Sequence, residues 1–230
     1  VDVGEALFRR LDAFMDGFME RVDPAMARTI AEAAERLRAS GVLDAVPKAG
    51  DIAPDFELPD QNGRPVSLRR RLQSGPVVLT FFRGGWCPFC SLALRALDEV
   101  SRELRRSGAD IMAISPETAA HAMETAERNS LSFPVLTDPG NRVARQYGLV
   151  WELGPELREV YERLGHVLPR INGTSEWTLP IPAGFVIASN GRIKYAHANT
   201  DLTRRLEPRA AVDAVRGARE TEGAEPRAAQ

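Results

Sequence analysis

Pro76-Val77-Val78-Leu79-Thr80-Phe81-Phe82-Arg83-Gly84-Gly85-Trp86-Cys87-Pro88-Phe89-Cys90 runs from a continuous apolar segment, through a double glycine, to a proline between two cysteines. The run up to Phe82 has the length and β-branched content of a buried central strand. Gly84-Gly85 breaks it. Pro88 suits the first turn of a helix, where its missing N–H is not needed. From Pro88 to about Arg106, the positions Leu92, Leu94, Leu97, Val100 and Leu104 mark out a helix. Both cysteines therefore stand where a buried strand hands over to a helix, the end of an open α/β sheet where reactive groups gather.

A helix N-terminus stabilises negative charge through its free amides and its dipole. A cysteine there is expected to ionise readily and to attack as the thiolate. A second cysteine three positions on lies about one turn away and can close a disulfide without backbone rearrangement. Pro88 stiffens the loop, and Trp86 and Phe89 supply apolar cover for the sulfurs. The competing reading is a pair of inert buried thiols. The spacing, the strand-to-helix position and the lack of any other cysteine favour redox chemistry. Two cysteines cannot build a disulfide scaffold, and a zinc site would need two more ligands. His121, His166 and His197 stand singly without ligand spacing. No metal and no cofactor is expected.

Outward from this stretch, three regions emerge. Residues 1–45 read as a helical extension: Leu7, Phe8, Leu11, Phe14, Met15 and Phe18 recur at helical spacing, and Asp23-Pro24 restarts a helix that Ser40-Gly41 closes. The aromatic and methionine stripe is expected to dock on its own domain rather than on a partner. Residues 46–216 alternate strands and helices. A hairpin is expected around Asn62-Gly63, a strand at Asp110–Ile114, a helix started by Ser115-Pro116-Glu117, and a short strand at Phe133–Leu136. Brief helices are expected at Asn141–Tyr147 and Pro155–Leu164, a hairpin around Asn190-Gly191, and a last helix from Pro208 to about Arg216. Such alternation implies an α/β sheet with helices on both faces. Residues 217–230, rich in Ala, Glu, Arg and Gly, read as a disordered tail.

Composition narrows the function classes. With 30 basic and 32 acidic side chains the net charge is −2, which gives no basic field for nucleic acid and no polybasic patch for a membrane. No apolar run is long enough to span a bilayer. No N-terminal stretch has the form of a secretory signal, so a cytoplasmic protein is expected.

Phe81-Phe82-Arg83-Gly84-Gly85-Trp86-Cys87-Pro88-Phe89-Cys90 resembles the active-site stretch of the peroxiredoxin-like branch of the AhpC/TSA superfamily. Gly50–Phe56, Ile114-Ser115-Pro116, Phe133–Asp138, Leu179–Ile187 and Asp201–Pro208 fall in that branch's order, so the resemblance covers residues 46 to about 215. It implies a thioredoxin fold of peroxiredoxin type, and often a homodimer. In a thioredoxin frame Cys87 is the exposed attacking thiol and Cys90 the buried resolving one. In a peroxiredoxin frame Cys90 takes the peroxidatic position, Cys87 the place of a threonine, and Arg83 that of a shielding proline. Peroxiredoxins tend to carry an arginine near 182, where this chain has Pro182. The thioredoxin likeness implies a cis Ile181–Pro182 bond beside the disulfide.

A leaving alkoxide needs a cation or donor. Arg83 is the first candidate, with Arg204 or Arg205 next if their loop folds over the site. Three functions remain open at this stage. The first is a reductase of hydroperoxides that cycles through a Cys87–Cys90 disulfide and is restored by a thioredoxin-like or small-thiol reductant. The second is a thiol–disulfide oxidoreductase with Cys87 attacking a disulfide substrate. The third is a protein whose disulfide state switches partner binding.

Overall fold

The structure, a computed structural model, describes residues 3–224. The chain opens with α1 (Val3–Arg21) and α2 (Pro24–Ala39). Asp23 caps α2 as its sequence implies, its carboxylate accepting from the Ala25 and Met26 amides. The hairpin β1 (Glu57–Pro59) and β2 (Pro65–Ser67) leads through α3 (Leu68–Leu72) to β3 (Val77–Phe81). Then come α4 (Pro88–Glu99), α5 (Ser101–Arg106), β4 (Asp110–Ser115), α6 (Ala119–Arg128), β5 (Val135–Thr137) and α7 (Arg142–Gln146). They are followed by β6 (Val150–Glu152), α8 (Pro155–Arg163), α9 (Leu168–Asn172), β7 (Thr178–Pro180), β8 (Ala183–Ile187), β9 (Ile193–Ala198) and α10 (Pro208–Ala224).

The main sheet has the order β5-β4-β3-β8-β9, with β3 at its centre. Strands β3, β4 and β5 run parallel, while β8 pairs antiparallel with both β3 and β9. The side chains of β3 alternate between two cores. Val78 joins Ile111, Val186 and the helices α4 and α10; Val77, Leu79 and Phe81 join Met112, Ile114 and Phe185 on the other face. Burial on both faces explains why β3 reads as an unbroken apolar run. The stripe of α1 docks on its own domain, as expected: Leu7 and Leu11 are fully buried, and Phe14 meets Phe89 of α4 edge-on at 5.1 Å. Helix α2 packs on α8 through Met26, Ala33, Leu157, Val160 and Tyr161.

Several local expectations change. The helix expected from Pro88 to Arg106 divides at Val100, whose φ −97° and ψ 0° interrupt the helical run. Ser115-Pro116-Glu117 does not start a helix. Ser115 stays in β4 opposite Thr137, and α6 begins only after Thr118. No cis peptide bond occurs among the described residues, so Ile181–Pro182 is trans. Pro182 instead bridges β7 and β8, where Ile181 donates to the Leu149 carbonyl, and a proline opening a strand needs no cis bond. Strands β6 and β7 and helix α9 carry no clear sequence signal. Helix α10 continues past Gly217 to Ala224; the rest of the expected tail lies outside the described residues. Among the described residues no helix is long and apolar enough to cross a membrane.

Candidate active site

The two thiols are positioned by the handover from β3 to α4. Phe82 still bonds the Ile114 carbonyl, and Cys87 closes the loop by donating its amide to Gly84. Gly84 has φ +151°, and a Cβ there would lie 2.2 Å from Trp86 Nε1, so only glycine allows the indole to fold across the loop. Cys87 is the N-cap of α4, and its carbonyl accepts from the Cys90 and Ser91 amides. Cys90 follows in the first turn. Both thiols are free and each is 1% exposed.

Arg83 is the nearest cation. Its Nη2 donates to Cys87 Sγ at 2.9 Å and its Nη1 to the Tyr161 hydroxyl at 2.9 Å, while the guanidinium lies 5.5 Å from the Trp86 ring centre. Burial works against the charge of Arg83, but the neighbouring Cys87, Tyr161 and Cys90 outweigh it and hold the guanidinium firmly protonated. Burial alone would push the Cys87 thiol up. The hydrogen bond from Cys90 and the charges of Arg83 and Arg205 override it and hold Cys87 well below the usual thiol range. Cys90 goes the other way, raised by burial and by the hydrogen bond and charge of Cys87. Of the pair, Cys87 is the sulfur pulled toward the thiolate and Cys90 the one pushed toward the neutral thiol.

The sulfurs face different spaces. Cys87, Arg83, Trp86, Pro88 and Phe89 form the floor of a cavity of about 300 Å³ whose walls are Phe14 and Phe18 of α1, Ile30 and Leu37 of α2, and Leu157 of α8. Cys90 instead lines a separate space of about 20 Å³ with Thr80, Pro182, Arg205 and Leu206. Pro182 therefore stands beside Cys90, and the structure brings Arg83, Trp86, Pro88 and Phe89 together around Cys87.

Arg204 and Arg205 part company. Arg204 reaches out to Asp12 at 3.0 Å and over the Phe8 ring, pinning α1 to the loop before α10. Arg205 turns inward and is 4% exposed. Two more residues belong to the site that sequence alone does not single out. Tyr161 lies in α8, whose apolar spacing signals burial but not a meeting with Arg83, 78 positions away. Glu117 is buried under the loop, accepting from the Gly85 amide at 3.0 Å and from the Ser115 and Thr125 hydroxyls. Burial pushes its carboxyl up to about 7 despite those bonds.

The AhpC/TSA family profile matches residues 49–196. Chloroplastic peroxiredoxin Q of Triticum aestivum is 33% identical over 131 residues, which cover 56% of this chain and 60% of that protein. Peroxiredoxin Bcp of Escherichia coli K12 is 36% identical over 104 residues, covering 45% of this chain and 65% of that one. The chain thus spans less than two thirds of either relative. Among solved structures, peroxidoxin BcpB of Mycobacterium tuberculosis superposes with a TM-score of 0.60 at 24% identity, covering 74% of this chain and 97% of that one. That likeness gives the fold: the thioredoxin type found in peroxiredoxins, preceded here by α1 and α2.

Proposed function

The chain belongs to the AhpC/TSA family, and from that premise we propose that it is a thiol-dependent reductase of hydroperoxides in which Cys87 attacks and Cys90 resolves. The observation that carries this reading is that Cys87 lines a largely apolar cavity and its sulfur accepts from Arg83 Nη2 at 2.9 Å. The Cys87 thiolate attacks the terminal oxygen of R–O–O–H, the O–O bond breaks, and the sulfur becomes a sulfenic acid. The departing alkoxide takes up a proton and leaves as the alcohol, its charge balanced by Arg83. Cys90 then displaces the hydroxyl of the sulfenic acid as water, and the Cys87–Cys90 disulfide forms. A thioredoxin-like dithiol or a small thiol supplies the two electrons that restore it.

The apolar walls suit a hydroperoxide with a bulky apolar body better than a small polar one, since such a body buries its surface against Phe14, Phe18, Ile30 and Leu157. A sulfur only 1% exposed is poorly placed for a protein disulfide, which would have to bring a second chain to it. That weighs against thiol–disulfide exchange with large partners.

The test is single-turnover mixing of the whole protein with an apolar organic hydroperoxide, followed by mass-resolved trapping with a sulfenic-acid probe. Cys90→Ser should accumulate the adduct on Cys87, and Cys87→Ser should abolish fast oxidation. Oxidation of Cys87 no faster than that of free cysteine, or fast oxidation of Cys90 in Cys87→Ser, would overturn the assignment.

A further inference from the structure

Arg205 is a buried cation that, among the described residues, makes no hydrogen bond to either sulfur. Its Nη1 donates to the Arg204 carbonyl at 3.2 Å, while Nε and Nη2 are buried with no hydrogen-bond partner among the described residues. A buried guanidinium with two idle nitrogens and no carboxylate bonded to it among the described residues is costly, and such a group persists where a charge arrives to meet it. The fold holds it in place on purpose-built backbone. Gly184 in β8 leaves room for Leu206, since a Cβ at 184 would lie 2.6 Å from the Leu206 side chain. On the N-terminal side, Thr203 is tied to Asp201 through its amide and hydroxyl. Arg205 then points into the small space that holds Cys90.

We propose that Arg205 is the counter-charge of the Cys90 thiolate during resolution, a positioning residue whose main effect falls after Cys87 has been oxidised. The proposal rests on the peroxide-reducing reading above. In the dithiol, the negative Cys87 sulfur and burial together keep Cys90 protonated, against the pull of Arg205 and Arg83. Attack on peroxide turns Cys87 into a neutral sulfenic acid, so its opposing charge disappears while both guanidiniums stay. Cys90 then releases its proton, its thiolate attacks Cys87 Sγ, the S–O bond breaks, and the hydroxide leaves with that proton as water. No outside oxidant or reductant enters this step. Arg83 bonds the first sulfur directly, and Arg205 is the cation that shares the space of the second. The other titratable groups bearing on Arg205 are Asp201, already bonded to Thr203, and His197, whose imidazole burial keeps toward the neutral form.

The test separates the two steps. In stopped-flow single turnover, Arg205→Met should slow disulfide formation by roughly ten- to a hundredfold, the loss of thiolate expected for one to two pH units, and should slow sulfenic-acid formation several-fold less, because Arg83 keeps its hydrogen bond to Cys87. Arg205→Lys, which keeps the charge, should recover most of the second phase. Independently of any peroxide, the ultraviolet thiolate signal of Cys87→Ser should titrate Cys90 at lower pH than the double variant with Arg205→Met, by about one unit or more. Equal slowing of both phases, an unchanged second phase, failure of Arg205→Lys to recover it, or coincident titrations would each overturn the proposal. If instead the unmodified protein forms no sulfenic acid, the peroxidase reading fails, while the titration still decides the role of Arg205.

Discussion

Arg83→Met separates two contributions that a single guanidinium makes to the attack on peroxide. The side chain donates to Cys87 Sγ at 2.9 Å inside a fully buried site. A charge-assisted hydrogen bond of this kind is worth about 1.5–3 kcal/mol, or one to two pH units of thiol ionisation. A thiol returned to about 8.5 is only about 3% ionised at pH 7, so the supply of thiolate falls roughly thirtyfold. The more basic thiolate is a better nucleophile, with a Brønsted slope of about 0.4–0.5, which returns roughly fivefold. Losing the donor to the departing oxygen costs a further ~10²–10³, as for one oxyanion donor. The net expectation at pH 7 is a loss of about 500- to 5,000-fold in the first step.

The pH profile distinguishes these parts. In a Cys90→Ser background, stopped-flow mixing with an apolar hydroperoxide should show the Arg83→Met rate climbing roughly thirtyfold from pH 7 to 10 as thiolate is regained. A deficit of about 20- to 200-fold should then persist, because pH cannot replace a lost donor. With Arg83 present, Cys87 is held well below the usual thiol range and the same profile should be nearly flat. An Arg83→Met rate within about threefold of the unmodified protein at pH 7, with a flat profile, would refute both roles.

Glu117, raised from 4.5 to about 7, makes the unfolded chain the first to lose its proton as pH rises; its stabilising contribution is full below about 4.5 and fades through about 7. Denaturant unfolding at pH 5 and pH 8 should show a fall of order 3 kcal/mol from this group. Glu117→Gln should remove that step, and an identical pH dependence in the two proteins would sink the idea. Ala34→Trp, which fills the apolar cavity, should cut kcat/KM for a bulky apolar hydroperoxide by about tenfold or more while sparing hydrogen peroxide; equal losses for both would argue against the cavity as the substrate site. Gly85→Ala puts a Cβ 2.0 Å from Thr125 Oγ1. Overpacking of that kind should lower stability by about 1–3 kcal/mol in thermal or denaturant unfolding, and an unchanged midpoint would contradict the close approach.

The fold was legible where a local signal sufficed. Val77–Phe82 declared a central strand because both faces of β3 are buried, and Asp23-Pro24 declared a helix start because cap and first-turn proline act locally. The same local logic failed at Ser115-Pro116-Glu117, where pairing of Ser115 with Thr137 competes with helix initiation and wins. It failed again at Pro182. The thioredoxin likeness supplied an expectation that pairing across β7 and β8 does not require. Strands β6 and β7, three residues each, are too short to carry a period. The site was legible in its two sulfurs and in Arg83, four positions away. Tyr161, Glu117 and the inward turn of Arg205 depend on contacts between distant elements, and no spacing rule reaches that far.

The order of roles within the pair depends on the same long-range contacts. The peroxiredoxin frame puts Cys90 at the reactive position and leads one to look for an arginine near 182, where Pro182 stands instead. Positive charge reaches the sulfurs by two other routes. Arg83 rises from the loop itself onto Cys87, and Arg205 descends from the segment before α10 into the space that holds Cys90. Arg83 donates to Cys87 and is itself braced by the Tyr161 hydroxyl, which accepts from its Nη1. Cys87 lines a cavity of about 300 Å³ walled in part by α1 and α2, which lie outside the family-matched residues 49–196, whereas Cys90 lines one of about 20 Å³. With the cation at position 83 rather than near 182, the proposed site of attack is Cys87 rather than Cys90, and on that proposal the cavity lined by the N-terminal helices is where the substrate would sit.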